Sequence, residues 1–312
     1  MQSIVVYGRL LARAIASGIH NEIPSWRNRQ TAAGYHLVTA SSGHGYHHNN
    51  TSPAQLMKKW SFGDDACFFA KHNLADVMGI ADGVGGWRSY GIDPSQFSYA
   101  LMQTCERMVC QGKFRPKEPA GLIASSYAEI LEQKNPLLGS CTACLVSLHK
   151  EDQILYTANL GDSGFLVVRN GKVVHRSEEQ QHYFNTPFQL SITPPLGVQM
   201  MISDSPESAD STAFPVEEGD IIVLGTDGLF DNLTDEMIIE HLRSHKTNSL
   251  STIQNAANGL VNMAVTKSYD PEYISPFCIA ARDAGINCLG GKPDDITVLL
   301  ASVQTGELMC SS

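Results

Sequence analysis

Three apolar runs in this 312-residue chain end on an aspartate with glycine one or two places later. ADVMGIADG ends at Asp82-Gly83, QILYTANLGDSG at Asp162-Ser163-Gly164, and GDIIVLGTDG at Asp227-Gly228. Two more acidic pairs stand just before apolar runs: Asp64-Asp65 before ACFFA, and Asp294-Asp295 before ITVLLASV. Each run reads as a buried strand that carries a carboxylate at one end. Carboxylates gathered at one edge repel one another, so they must protonate, stay apart or bind cations. An all-oxygen ligand set favours hard divalent ions, Mg²⁺ or Mn²⁺. Glycine beside aspartate lets the backbone come close, so that its carbonyl can join the coordination shell. Two bridged ions roughly 3.5–4 Å apart activate a water and clamp a phosphoryl group, which suits phosphate ester hydrolysis. A lone Asp-Gly is more often a turn or a cap. The recurrence, five acidic sites with three after similar runs, is what points to a metal centre.

Helical patterns fall between these sites. Asp93-Pro94 opens one, with Phe97, Leu101, Cys105 and Met108 as its apolar stripe. Leu122, Ile123, Tyr127, Ile130 and Leu131 mark a second. Asp235 and Glu236 sit in the first turn of a third, followed by Ile238, Ile239 and Leu242. A fourth runs from Ile253 through Ala256, Ala257, Leu260, Val261 and Ala264 to Val265. Asn170-Gly171, between FLVVR and KVVH, is a hairpin signal, which argues against a purely parallel sheet. The expected class is mixed α/β, with sheets presenting carboxylates and helices covering the sheets.

Composition narrows the rest. Hydrophobic residues make up 43 % of the chain, ordinary for a folded protein, and the formal charge is −10. An acidic chain lacks the basic surface that general nucleic-acid binding needs. No apolar run approaches the roughly 18 residues of a membrane span. Eight cysteines are too few for a disulfide scaffold, and Cys141-x-x-Cys144 lies in a strand-like run that would turn its two thiols to opposite faces. The cysteines read as reduced packing residues.

The charge is uneven. Residues 1–63 hold six bases (Arg9, Arg13, Arg27, Arg29, Lys58 and Lys59) against the single acid Glu22; the remainder holds 16 bases against 31 acids. As a helix, residues 3–16 place Arg9 and Arg13 on one face and Ile4, Leu11 and Ile15 on another. That pattern resembles a mitochondrial import presequence, assigned here to residues 1–30. Residues 31–59 are expected to hold an N-terminal strand and a flexible loop, the loop being the Gly/Ser/His/Asn-rich stretch 41–54.

The ordered set GDDA (63–66), ADGVGGW (81–87), NLGDSG (159–164), TDGLFDN (226–232) and KPDDITVLL (292–300) resembles the metal-dependent serine/threonine protein phosphatases of type 2C, the PPM family. The resemblance covers residues 60–303 and leaves 304–312 as a tail. SEEQQHYFNTPFQLS (177–191) and DPSQF (93–97) are further similar to the mitochondrial branch of that family, the homologues of the phosphatase PTC-seven. The resemblance implies an αββα sandwich, two antiparallel sheets flanked by helices with a binuclear metal site at one end. It implies Mn²⁺ or Mg²⁺, two ions per site with a possible third and weaker one, and attack by a metal-bridging water. Its substrates would be phosphoserine and phosphothreonine in mitochondrial, matrix proteins.

Carried over residue by residue, Asp82 resembles the bridging carboxylate and Gly83 the carbonyl ligand. Asp227 and Asp294 resemble further ligands, the family pattern favouring Asp294 where spacing cannot choose between it and Asp295. Asp64 takes the first acidic position, usually Glu, and is counted among the metal ligands, with Asp65 following it in the catalytic set. Asp162 resembles the acid of the weaker additional site. Two positions depart from the family. Val84 stands where a proton-donating His is common, and Trp60 where a phosphate-binding Arg is usual, which leaves Lys58 or Lys59 for phosphate capture with Arg88 next.

Rival readings fail on single residues. An aspartate nucleophile two places before Asp227 is excluded by Gly225, and a GxGxxG from Gly83 by Arg88. A catalytically weak, phosphatase-like scaffold is the alternative from another class, but every matched acid is present.

Overall fold

The computed structural model describes residues 34–46, 62–194, 202–245 and 249–306. Residues 1–30, Lys58, Lys59 and Trp60 lie outside the described residues.

In chain order the strands are β1 (Gly34–His44), β2 (Ala66–Lys71), β3 (Ala75–Ala81), β4 (Gly139–Cys141), β5 (Ala143–His149), β6 (Ile154–Leu160) and β7 (Gly164–Arg169). They continue as β8 (Lys172–Arg176), β9 (Gln181–Tyr183), β10 (Thr186–Pro187), β11 (Leu190–Ile192), β12 (Asp210–Pro215), β13 (Ile221–Gly225) and β14 (Ile296–Gly306). The helices are α1 (Ser95–Cys110), α2 (Pro119–Leu131), α3 (Asp227–Phe230), α4 (Asp235–Arg243), α5 (Leu250–Ser268) and α6 (Pro276–Asp283).

Two antiparallel five-stranded sheets carry the fold, in the orders β1-β14-β13-β7-β8 and β12-β6-β5-β3-β2. Their central strands are apolar on both faces because each sheet is covered on both, whereas the edge strands β8 and β12 are largely exposed. In β14, Ile296, Val298 and Leu300 pack toward α4 and α5, while Leu299, Ala301 and Val303 face the other sheet. In β5, Leu145 packs with α1 and α2, while Cys144, Val146 and Leu148 face inward. Met78, Ile80, Phe165, Ile222 and Leu224 complete that inter-sheet layer. The result is helices, sheet, sheet, helices, as the resemblance implies. The period-two alternation of strands and the stripes of the helices supply the burial that drives it.

The expected helices form with small differences. α1 begins at Ser95, and the Asp93 carboxylate accepts from both the backbone N–H and the hydroxyl of Ser95. In α2, Leu122, Ile123 and Ile130 are buried but Leu131 is 52 % exposed, one position beyond the covered face. The Asn170-Gly171 hairpin joins β7 to β8 with φ of 51° and 70°, the left-handed pair a tight turn requires.

Two expectations are corrected. Residues 304–306, assigned to the tail, are the end of β14, with Gln304, Thr305 and Gly306 paired to His36, Tyr35 and Gly34. Residues 41–44 are not loop: Ser41, Ser42, Gly43 and His44 pair with Leu299, Val298, Thr297 and Ile296. Small polar residues extend the strand because β14 offers an unbroken ladder opposite them. β1 is therefore the edge of a main sheet and part of the same fold as the strands from residue 66 onward. The CxxC reading stands, for Cys141 lies in the α1–α2 layer and Cys144 in the inter-sheet layer, both as free thiols.

Candidate metal centre

Strand register brings the acidic sites to one end of the sandwich. Ala66 at the start of β2 pairs with Ala81 at the end of β3, which puts Asp64-Asp65 beside Asp82. In the other sheet Gly225 pairs with Gly164 and with Val298, which puts Asp227, Asp162 and Asp294-Asp295 together. Short polar contacts then join the sheets. Thr226 Oγ1 donates to Asp65 Oδ2 at 2.8 Å and accepts from the Thr297 N–H at 3.1 Å. The Asp82 N–H donates to Thr142 Oγ1 at 3.0 Å, and Thr142 Oγ1 lies 2.8 Å from Ser163 Oγ, next to Asp162.

The two Asp-Gly steps are steric requirements. A Cβ on Gly83 would sit 2.7 Å from the carbonyl oxygens of Asp64 and Pro94. A Cβ on Gly228 would sit 2.0 Å from the Asp295 carbonyl oxygen. Only glycine allows these backbones to approach, and that approach packs the acidic turns against one another.

Carboxylate oxygens of Asp82, Asp162 and Asp227 all lie within 4.8 Å of one another. Asp65 Oδ1 and Asp162 Oδ1 are buried with no hydrogen-bond partner among the described residues. A convergent, oxygen-only set with unsatisfied acceptors fits a hard divalent cation. The proton equilibria agree. Burial raises the Asp82 carboxyl well above its usual range, although the side chain keeps some contact with solvent, and the charges of Asp227, Asp65, Asp294 and Asp162 add to the effect. Asp65 is likewise raised, first by burial and then by Asp295, against the nearby Thr297 hydroxyl and the hydrogen bond from Thr226. Asp162 is raised by burial and by Asp227. Groups that resist ionisation alone are stabilised as carboxylates by a cation.

The remaining assigned residues are placed differently from one another. Asp294 stands beside Asp227 and is pushed up to about 6 by burial and by that neighbour's charge. Its carboxylate Oδ2 is 3.4 Å from Lys292 Nζ. Asp295 accepts from the backbone N–H groups of Asp64, at 2.7 Å, and Tyr46. Asp295 thus clamps two chain segments. Asp64 has its carboxylate paired with the Arg88 guanidinium, while its backbone carbonyl accepts from the Gly83 N–H at 3.2 Å. Of that acidic pair, it is the Asp65 carboxylate that faces the charges of Asp82 and Asp227.

Two site residues were not singled out from the sequence. Lys292 reaches Asp227 at 2.5 Å and Asp231 at 2.7 Å. Asp231, four residues after Asp227 and just past the short α3, is pushed up to about 7 by burial and by Asp227, against the pull of Lys292. The i, i+4 spacing in TDGLFDN was the available signal for Asp231. Lys292, two residues before Asp294, reads in sequence as a solvated charge.

A family model described as stage II sporulation protein E (SpoIIE) matches residues 75–304. The protein phosphatase PTC7 homolog of Homo sapiens is 54 % identical over 306 residues, 97 % of this chain and 98 % of that protein. Among solved structures, the photosystem II phosphatase PBCP superposes with a TM-score of 0.71 at 28 % identity, covering 86 % of this chain and 99 % of its own. The catalytic domain of the serine/threonine phosphatase PstP, solved with two manganese ions, shares the fold at a TM-score of 0.52 and 17 % identity, over 86 % of this chain and 99 % of its own. Sequence, fold and the convergent carboxylates thus agree, and the chain belongs to the metal-dependent protein phosphatases of the PTC7-homolog family.

Proposed function

We propose that Asp82, Asp162 and Asp227, with Asp294 beside them, form the hydrolytic centre for phosphoserine and phosphothreonine in mitochondrial proteins. The carrying observation is the approach of three buried or half-buried carboxylates to within 4.8 Å of one another in a chain of this family. Two Mn²⁺ or Mg²⁺ ions, held by Asp82, the Gly83 carbonyl, Asp227 and Asp294, would polarise a water for attack and neutralise the phosphoryl oxygens. Asp162 is assigned to a third, weaker ion. Asp65, with one oxygen held by Thr226 and the other unpartnered, accepts a hydrogen bond from the attacking water and aims it. Val84 has no proton to give, so the proton for the leaving alkoxide would come from a water held at the metal centre or from another residue.

Phosphate capture falls to Lys58 or Lys59, the bases just upstream of Asp64, or to Arg88, whose planar fork already meets the Asp64 carboxylate. If Lys58→Ala and Lys59→Ala raise KM more than they lower kcat, the lysines hold the phosphate; if only Arg88→Ala does so, the arginine does. The import reading of residues 1–30 is supported by the four-residue spacing of Arg9 and Arg13 and by the scarcity of acids. Arg9→Glu with Arg13→Glu should block mitochondrial import; unchanged import overturns it.

The deciding experiment measures phosphate release from phosphoserine and phosphothreonine peptides. Release that needs Mn²⁺ or Mg²⁺, stops with chelator and is lost in Asp82→Asn supports the reading. Full activity in chelator refutes it.

A further inference from the structure

Lys292 is built into the site from three directions. Its backbone N–H donates to Asn232 Oδ1 at 2.9 Å and its carbonyl accepts from Asn232 Nδ2 at 2.8 Å. Asn232, fully buried, also donates to the Gly228 carbonyl at 3.0 Å, so the lysine backbone is tied to the turn that carries Asp227. The Phe277 ring lies 5.0 Å from the ammonium. The backbone N–H of Phe277 donates to the Asp231 carbonyl at 3.1 Å, which fixes the ring beside the same turn. The ammonium is left facing Asp227 at 2.5 Å, Asp231 at 2.7 Å and Asp294 at 3.4 Å.

Asp227 and Asp294 are the carboxylates assigned to an ion, whereas Asp231 is not. A lysine ammonium and a divalent ion cannot both lie in contact with the same carboxylate oxygens, because they repel strongly in a part-buried site. We propose that Lys292 is an internal counter-cation of the metal centre. It neutralises Asp227, Asp231 and Asp294 when no ion is bound, and gives up Asp227 and Asp294 to the ion while keeping Asp231. Lys292 is thus a positioning residue that sets metal affinity. The inference rests on the reading of Asp227 and Asp294 as ligands.

The test uses the full chain and Mn²⁺ alone, without substrate. Mn²⁺ binding is measured by titration calorimetry, and the melting temperature is measured in chelator. Lys292→Met should melt several degrees below the parent in chelator and bind Mn²⁺ at least about tenfold more tightly, since its competitor is gone. Lys292→Arg, which keeps the charge, should stay near the parent in both. Unchanged or weaker Mn²⁺ affinity in Lys292→Met, or an unchanged melting temperature, overturns the proposal. A variant that folds only with Mn²⁺ supports it; one that stays unfolded even with Mn²⁺ overturns it, because the ion then replaces the lysine's charge at Asp227 and Asp294 and leaves it only Asp231. If the parent itself binds no Mn²⁺, the metal-centre reading fails, and not this inference alone.

Discussion

Asp295→Asn tests the electrostatics of the centre in the absence of metal. The Asp295 carboxyl, 4 % exposed, is pushed from its ordinary 3.8 up to about 7, chiefly by burial and then by the charge of Asp64, against the N–H groups it accepts from. Because the folded value is the higher one, its contribution to stability is fully present below the unfolded value and is lost as pH rises through the folded one. Going from about pH 8 to about pH 5.5, the folded protein takes up nearly one proton that the unfolded chain does not, worth about 2 kcal/mol. For a domain of this size that is roughly 4–8 °C of melting temperature. Burial holds His175 and His241 below the usual imidazole value, so they act in the opposite direction as pH falls. They are common to both proteins and cancel in the difference. Asn also removes one acceptor from the N–H groups of Asp64 and Tyr46, a cost that does not change with pH. The parent, unfolded by heat in chelator, should therefore gain about 2 kcal/mol more than the variant between those two pH values. Parallel profiles would refute the reasoning.

Asp82→Asn and Asp227→Asn should each lower turnover by several powers of ten and weaken Mn²⁺ binding in calorimetry, with the melting temperature in chelator unchanged or raised by relief of repulsion. Gly83→Ala should fold poorly or lose Mn²⁺ binding, since its Cβ would meet two carbonyl oxygens at 2.7 Å; thermal melting with and without Mn²⁺ reads both effects. Met78→Ala, in the layer between the sheets and far along β3 from the acidic turn, should cost about 2–5 kcal/mol in urea unfolding without changing KM in Mn²⁺.

The apolar runs of β5 and β14 and the stripes of α1 and α5 were legible in the sequence because each element carries its own pattern of burial. The acidic sites were legible because strand ends repeat one phrase. Other features depend on partners that sequence order does not reveal. Ser41–His44 carry no strand signal of their own and are strand because β14 lies opposite. Within Asp64-Asp65, spacing does not tell which carboxylate turns to Arg88 and which to Thr226. Cys278 and Cys288, ten residues apart with no motif between them, come within 2.8 Å through the path of α6 and the turn after it. Lys292 is a charged residue beside a proline until Asn232, sixty positions away, fixes where it points.

The pairing of β1 with β14, from Gly34 opposite Gly306 to His44 opposite Ile296, also has a consequence in time. A chain emerging from the ribosome presents β1 early and its partner strand only after almost all the rest. Closing so long a loop is slow, and the edge strand must wait unpaired. Asp294 and Asp295 lie just ahead of β14, and the Tyr46 N–H just past β1 meets Asp295 only when that ladder has zipped. The acidic centre is therefore among the last parts to assemble. A nascent or truncated chain has no finished pocket with which to take up metal, so hydrolytic competence arrives only with completion of the sheet.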